Sequence, residues 1–120
     1  MLKLPVDFEE NIHLLKIIDI GHRQFSAEQA LTELEAEVSK AMFSGNFAAL
    51  KIIHGHGSGV LRNAVRTWCQ DQYGRFQAVI PGEDYDLFHE ETINMRRACG
   101  QPDDPDLGRK NKAVTYIWFW

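Results

Sequence analysis

The chain has 120 residues, a length that typically folds as one domain, and its hydrophobic content of 44% and charged content of 25% are those of a globular protein. A formal net charge of −4 excludes a nucleic-acid binder that works through overall positive charge, but it is compatible with a local basic site. No apolar run approaches the roughly 20 residues of a membrane span, and the N-terminus lacks the features of a signal peptide. We therefore expect a cytoplasmic protein with no membrane partner.

The chain is predicted to begin with a short arm and a strand. Residues 1–13 are mixed in composition and carry Pro5, so we expect an extended arm ahead of a single domain over residues 14–120. Residues 14–20 form a nearly all-apolar run with β-branched side chains, which predicts a strand buried on both faces. Asp19 lies near its end, before Gly21-His22-Arg23. Its carboxylate either accepts hydrogen bonds from the loop amides or takes part in catalysis.

The first helix is predicted to begin at Ser26 and to stop at Gly45. Ser26 and Gln29 have the spacing of a capping box, and apolar residues then recur at helical spacing as far as Met42. Gly45 stands where helices commonly carry a C-terminal glycine. The glutamates of this segment are interpreted as a solvent-exposed stripe.

A glycine-rich loop, residues 54–59 (HGHGSG), follows a second predicted strand at residues 48–53 and leads into a helix from about Gly59 to Gln72. Glycine at every second position permits left-handed backbone and close approach of a ligand. The amides of such a loop and of the first helical turn favour binding of an anion, most often phosphate. His54 and His56 add imidazoles that can act as acid, base or metal ligand. The alternative is a tight strand-to-helix connection with incidental histidines.

The C-terminal part is predicted to add a third strand, a helix and a last strand. Residues 76–80 form the third strand, ended by Pro81-Gly82, and an acidic stretch then runs into an inserted helix at about residues 83–99. The loop at residues 100–112 turns basic near its end, and residues 113–120 form a strand rich in β-branched and aromatic side chains. Cys69 and Cys99 share no close spacing, so we expect both to be reduced.

This order of elements, βαβαβ(α)β, predicts a compact α/β fold. Right-handed crossovers place the first two strands parallel, with both helices on one face of the sheet. Ligands of such sheets bind beyond the carboxyl ends of the strands. Asp19, His22 and the loop at residues 54–59 converge there, so the topology alone predicts a site at this edge.

The loop and its surroundings resemble the Smr (small MutS-related) domain family. The family's HGxGxG motif is present as residues 54–59, followed by Val60-Leu61-Arg62-Asn63-Ala64-Val65, and the similarity covers residues 14–80 and the last strand. The resemblance implies a mixed-sheet α/β sandwich similar to the C-terminal domain of a translation initiation factor of the ribosome. It also implies DNA-nicking or RNA-cleaving endonuclease activity, with DNA or RNA and, for some members, the ribosome as partners.

Two other motifs of the family are altered in this chain. The first strand of the family usually ends in LDxHG, whereas residues 18–22 here read Ile-Asp-Ile-Gly-His, so the histidine comes one residue late. The family's GGxGxT motif corresponds to residues 110–115, of which only Thr115 matches. The acidic insert is an addition to the compact family pattern. These departures bear on catalysis more than on the fold or on nucleic-acid binding.

The resemblance implies roles for the residues around the loop. One imidazole would serve as general acid or base, and Asp19 would orient it or bind a cation, so the catalytic candidates are Asp19, His22 and His54. A phosphate would lie on the loop, with phosphate-binding candidates Gly55, His56, Gly57, Ser58, Gly59 and Arg62. Candidate nucleic-acid contacts are Arg23, Arg109, Lys110 and Lys112.

Three functions stay open from the sequence. The first is a nuclease, the second a non-catalytic RNA- or ribosome-binding module that uses the same anion site, and the third a protein-interaction adaptor that docks through the acidic insert. A metal site formed by Asp19, His54 and His56 requires strand-like loop geometry, so no metal ligands are assigned and the need for a divalent cation is left open. No oligomeric state is assigned.

Overall fold

The computed structural model describes residues 14–120, so the predicted N-terminal arm at residues 1–13 lies outside the described residues. This part of the chain forms a four-stranded sheet and three α-helices in the predicted order, which confirms the α/β fold class. In chain order the elements are β1 (Leu15–Asp19), α1 (Ala27–Ser44), β2 (Ala49–Ile53), α2 (Val60–Asp71), β3 (Ala78–Pro81), a short 3-10 helix (Gly82–Asp84), α3 (Glu90–Ala98) and β4 (Val114–Trp118).

The sheet is mixed, with the strand order β1-β2-β4-β3. The strands β1 and β2 are parallel, as predicted, whereas β4 runs antiparallel to both β2 and β3. The two central strands are therefore β2 and β4, and β1 lies at an edge. The prediction that β1 is buried on both faces is wrong. β1 has a neighbouring strand on one side only, and its side chain Ile17 is 57% exposed.

Two hydrophobic cores lie on opposite faces of the sheet. On one face, α1 and α2 pack against β2 and β4, with Leu34, Val38 and Val65 buried there. This arrangement confirms that the first two helices share a face. On the other face, Tyr85 and Met95 pack against β3 and β4, in the cluster that holds α3. The site described below lies at the end of this sheet, where β1 and β2 finish.

The first helix begins and ends as its sequence predicts. The Gln29 amide donates to the Ser26 hydroxyl at 3.1 Å and the Ser26 amide donates to the Gln29 side chain at 2.9 Å, which together form the capping box. Gly45 ends the helix in the left-handed conformation, with φ of 69°.

The inserted helix α3 is shorter than the predicted range of residues 83–99. It begins at Glu90, where the His89 side chain accepts a hydrogen bond from the Thr92 amide. Upstream, the Asp86 carboxylate accepts from the Phe88 amide at 2.8 Å, a local turn that competes with helix formation. Cys69 and Cys99 are buried and unpaired, as expected. None of the helices within residues 14–120 is long and apolar enough to cross a membrane.

Candidate functional site

A cleft opens at the carboxyl ends of β1 and β2. Asp19 at the end of β1 pairs in register with Ile53 at the end of β2, so the segments that follow the two strands leave the sheet side by side. Gly21, His22 and Phe25 line one wall of the cleft and the glycine-rich loop at residues 54–59 lines the other, around a volume of ≈ 410 Å³. The structure therefore brings His22 and the loop together at the edge that the topology predicts.

The loop alternates left-handed glycines with polar residues. Gly55, Gly57 and Gly59 have φ of 81°, 43° and 91°, a conformation that side-chain-bearing residues rarely adopt. The amides of His54 and Gly55 both donate to the Ala113 carbonyl, at 2.9 and 3.1 Å. By contrast, no backbone carbonyl within residues 14–120 accepts from the amides of residues 56–59. The amides that are free to meet an anion are therefore those of residues 56–59 and of the first turn of α2.

Asp19 and His22 form a hydrogen-bonded pair at the cleft. The Asp19 Oδ1 atom accepts from the amides of Gly21 and His22 at 3.0 and 3.1 Å, and its Oδ2 atom lies 2.7 Å from the His22 Nδ1 atom. The carboxylate thus both closes the turn and orients the imidazole. The His22 side chain is 75% exposed, so its other ring nitrogen is accessible.

The environment of Asp19 keeps its carboxyl group ionised. Partial burial raises the pKa of this group. The hydrogen bonds from the His22 side chain and from the amides of His22 and Gly21 outweigh that effect and hold the pKa below its ordinary value. The ionised Asp19 accepts a hydrogen bond from the Nδ1–H group of His22, which leaves the Nε2 atom of the ring free to contact a ligand.

Gly21 lies close against the backbone of the glycine-rich loop. A Cβ atom at position 21 would lie 2.6 Å from the His54 carbonyl carbon and 2.9 Å from the Gly55 nitrogen. Both neighbours are backbone atoms, so a side chain at position 21 would push the glycine loop away. Glycine at 21 therefore allows this close contact between the turn and the loop.

His54 is buried beneath the loop, with an exposed fraction of 3%. Its Nδ1 atom lies 3.3 Å from the Gly55 carbonyl oxygen, which can only accept, so Nδ1 carries the proton. Its Nε2 atom then accepts from the Thr115 hydroxyl at 2.9 Å, and that hydroxyl in turn accepts from Arg66 Nε at 3.0 Å. Both ring nitrogens of His54 are engaged within the protein.

The pKa of His54 reflects this burial. Loss of solvent around the imidazole disfavours its charged form, and the nearby Arg66 and Arg62 guanidinium groups add to this effect. The Gly55 carbonyl and Glu83 act in the opposite direction but are weaker, so the pKa is lowered to about 4. His54 is therefore neutral at physiological pH, which agrees with a ring that accepts from Thr115.

Three residues of this buried network were not among the predicted site residues. Arg66 donates to both carboxylate oxygens of Glu83, at 2.9 and 2.7 Å, and also to the Val114 carbonyl at 3.2 Å. Glu83, Arg66, Thr115 and His54 thus form one chain of hydrogen bonds that ends under the loop. The signal for Thr115 was available in the sequence, because it is the one position of residues 110–115 that matches the GGxGxT motif of the family. Arg66 and Glu83 carry no comparable signal in the sequence.

The predicted cationic residues lie in three different surroundings. The Arg62 guanidinium lies against the loop, where a Cβ atom on Gly59 would approach its Nη2 atom to 2.6 Å. Arg109, Lys110 and Lys112 line a second depression that also borders the loop. Arg23 does not line the cleft. Its guanidinium contacts Glu33 at 3.6 Å and lies over the Phe25 ring.

No metal-binding group is formed by the described residues. Within residues 14–120, no three side chains of His, Cys, Asp and Glu come together in a way that could hold a metal ion.

The fold and the cleft define a small α/β domain with a glycine-rich loop at the carboxyl ends of two parallel strands. The family model of the Smr domain matches residues 20–85, more than half of the chain, and the chain belongs to the Smr domain family. This is a family of nucleic-acid-binding and nicking modules.

A solved structure has the same fold. The crystal structure of the Smr domain of Thermus thermophilus MutS2 superposes with a TM-score of 0.57 and 21% sequence identity, covering 88% of this chain and 98% of that chain. At this identity the likeness shows the fold. No curated protein matches the chain significantly.

Proposed function

We propose that this Smr domain binds nucleic acid in the cleft between His22 and the glycine-rich loop and cleaves a phosphodiester bond there. One observation carries the proposal. An exposed imidazole, oriented by an ionised carboxylate 2.7 Å away, borders a cleft whose opposite wall offers unengaged backbone amides. Acid–base cleavage of a phosphodiester uses such a pairing of an anion-binding surface with a group that can move a proton.

The loop supplies the anion-binding surface of the proposed site. The amides of residues 56–59 and of the first turn of α2 would contact the phosphate oxygens, and Arg62 lies where it can add its positive charge. Gly55 is not proposed to contact the phosphate through its amide, because that amide donates to the Ala113 carbonyl. The Gly55 carbonyl accepts from the His54 ring. The proposed role of Gly55 is therefore to shape the loop.

The three catalytic candidates have different proposed roles. His22 is the general acid or base, because its Nε2 atom is accessible, and Asp19 orients the ring. His54 is a positioning residue, since both of its ring nitrogens are engaged beneath the loop. The need for a divalent cation is decided in the assay, by including or chelating the ion.

The test is cleavage of labelled RNA and DNA, single- and double-stranded, with and without divalent ions. Asp19→Asn and His22→Ala should each lower the cleavage rate by about 100- to 10,000-fold, the usual contribution of a positioned acid–base group, and leave binding nearly unchanged. His89→Ser is the control, because it removes an imidazole but keeps a capping side chain on α3. Full activity in both cleft variants would contradict the assignment.

Gly57→Val tests the anion-binding wall separately. Open space surrounds a Cβ atom at this position, so the domain should stay folded, while φ of 43° is incompatible with valine and the loop should change shape. We expect the folded variant to lose binding and cleavage together. If wild type binds and cleaves no substrate, the proposed function fails. If it binds but cleaves none, the domain is the non-catalytic binding module that the sequence also allows.

A further inference from the structure

Two large apolar side chains are exposed in the turn that precedes α3. Phe88 is 98% exposed and Leu87 is 61% exposed, and neither belongs to the hydrophobic core on either face of the sheet. We call this pair of residues the apolar tip. A single exposed apolar residue is common on protein surfaces, but two that are adjacent in one turn form a candidate contact with another molecule.

The residues around the apolar tip hold it in a fixed shape. The Asp86 carboxylate accepts from the Phe88 amide at 2.8 Å, and the Asp86 carbonyl accepts from the His89 amide at 3.3 Å. On the N-terminal side of the tip, Tyr85 is buried and its ring stacks on that of Tyr116, with the ring centres 3.9 Å apart. On the C-terminal side, the His89 side chain caps α3. A contact surface that is already ordered loses little conformational entropy when it binds.

Negative charge surrounds the apolar tip. Residues 76–95 contain no lysine or arginine. Asp84, Glu90 and Glu91 are exposed, lie close to the tip along the chain, and form no ion pair within residues 14–120. An apolar contact ringed by carboxylates fits a concave surface that carries lysine or arginine, because charges of opposite sign then meet around it.

The same chain carries a concave surface of this kind, which we call the basic depression. Arg109, Lys110 and Lys112 line it, together with Pro105, around a volume of ≈ 630 Å³. These three cations are exposed, and in the described part of the chain none of them forms an ion pair. The carboxylate in its wall, Asp106, is paired inside the protein with a buried lysine. The basic depression therefore offers positive charge to the carboxylates beside the apolar tip.

The apolar tip and the basic depression are neighbours on the surface. The Gly108 amide, in the loop that carries the cations, donates at 2.9 Å to the carbonyl of Tyr85, which lies just before the tip. Within residues 14–120, no ion pair joins the carboxylates beside the tip to the cations of the depression. When two copies of such a surface meet about a twofold axis, each patch meets the complementary patch of the other copy. The positions of the two patches therefore fit a second copy of this chain.

We infer that two copies of this chain form a twofold dimer in which the apolar tip of each copy enters the basic depression of the other. The Phe88 ring would lie against a lysine or arginine, which combines apolar contact with attraction between the cation and the ring. The carboxylates beside the tip would pair with the remaining cations. The contact is small and highly charged, so we expect a weak dimer with a dissociation constant of about 10 μM to 1 mM. The inference does not rest on the proposed function.

The experiment measures the mass of nucleic-acid-free protein by sedimentation equilibrium, at concentrations up to about 1 mM and in about 0.1 M salt. Phe88→Ser removes the larger part of the apolar tip. Because Phe88 is exposed, this variant should fold as wild type does, and the dissociation constant of its dimer should rise about tenfold. Tyr73→Ser is the matched control, since it removes a ring that is 99% exposed but lies outside the proposed interface, and its dimer should match that of wild type.

An exchange of charges tests the pairing of the two patches directly. Asp84→Lys/Glu91→Lys reverses charges beside the tip, and Arg109→Glu/Lys112→Glu reverses charges in the depression. Each double variant alone should be monomeric, because most of the charges that face each other in its dimer have the same sign. Mixed in equal amounts, the two variants should form a heterodimer, because both contacts again join opposite charges.

Glu28→Lys/Asp71→Lys is the control for the first charge variant, since it changes the net charge equally at exposed positions of α1 and α2. This control should still dimerise on its own. A wild-type protein that stays monomeric up to about 1 mM would overturn the inference. Dimers of Phe88→Ser as stable as those of wild type would also overturn it, and so would a mixture of the two folded charge variants that contains no heterodimer. The serine variants change no charge, so they decide the matter even where a charge variant does not fold.

Discussion

His54 is the first residue of the glycine-rich loop, directly after β2, and its chemistry differs from that of His22. Burial and two internal hydrogen bonds keep the His54 ring neutral and fixed, whereas the His22 ring is exposed and oriented by Asp19. The two histidines at this edge of the sheet therefore differ in role. His54 supports the loop, and the His22 ring is accessible from solvent.

The depressed pKa of His54 predicts that the free energy of unfolding depends on pH. The pKa falls from 6.5 to about 4 on folding, so the unfolded chain binds more protons between these values and stability rises with pH. This contribution is fully present above about pH 6.5 and is lost as the pH falls toward 4. Between pH 7 and pH 5 the free energy of unfolding should drop by roughly 2 kcal/mol. Urea unfolding followed by tryptophan fluorescence measures it.

The source of this pH dependence is tested with two glutamine variants. His54→Gln removes the buried imidazole, so the drop between pH 7 and pH 5 should largely disappear, whatever the absolute stability of the variant. His56→Gln removes an exposed imidazole of the same loop and should keep the drop. An unchanged drop in His54→Gln would show that other groups cause it.

At the scale of elements, the loop is supported by hydrogen bonds that link four segments. Glu83 of the 3-10 helix pairs with Arg66 of α2, Arg66 donates to Thr115 of β4, and Thr115 donates to His54 at the end of β2. The buried Nε2 atom of His54 would be left without a partner if the Thr115 hydroxyl were lost, and an unsatisfied buried polar group costs about 1–3 kcal/mol. The acidic stretch that precedes α3 therefore contributes one residue to the support of the loop.

Arg66→Lys should destabilise the domain by about 2 kcal/mol. Lysine keeps the charge but lacks the planar fork, so it cannot hold Glu83 through two bonds and donate to Thr115 at the same time. Arg75→Lys is a matched control, because Arg75 also pairs with both oxygens of a glutamate, Glu35, at 3.0 and 2.9 Å, but on a more exposed surface. That variant should lose less than about 1 kcal/mol. Chemical unfolding of both measures the difference, and equal losses would contradict the special role of Arg66.

At the scale of the whole molecule, most of the fold follows from hydrophobic periodicity and capping. The capping box at Ser26, the glycine at 45 and the apolar runs of β1 and β2 are local patterns, and the parallel pairing of β1 and β2 follows from the handedness of their connection. The same reasoning places His22 and the loop at one edge. These features can be predicted without knowing how β3 and β4 pair in the sheet.

The features that sequence reasoning missed depend on the position of β4. Because β4 inserts between β2 and β3, Val114 pairs with Ile53, which brings Thr115 under His54 and Ala113 against the Gly55 amide. Such long-range pairing leaves no periodic signal in the sequence. The exposure of Ile17 has the same origin, since the strand order leaves β1 at the edge.

The most direct test of the central claim is an NMR titration of wild-type protein with a non-cleavable phosphorothioate oligonucleotide, followed through the backbone amides. Ligand in the cleft should change the amide chemical shifts of residues 56–59, of the first turn of α2 and of His22. These residues line the cleft, or their amides have no hydrogen-bond acceptor within the described chain. The amides of α3, on the opposite face of the sheet, should stay unchanged. Shifts confined to α3 and the acidic stretch before it, with none in the loop, would contradict the account.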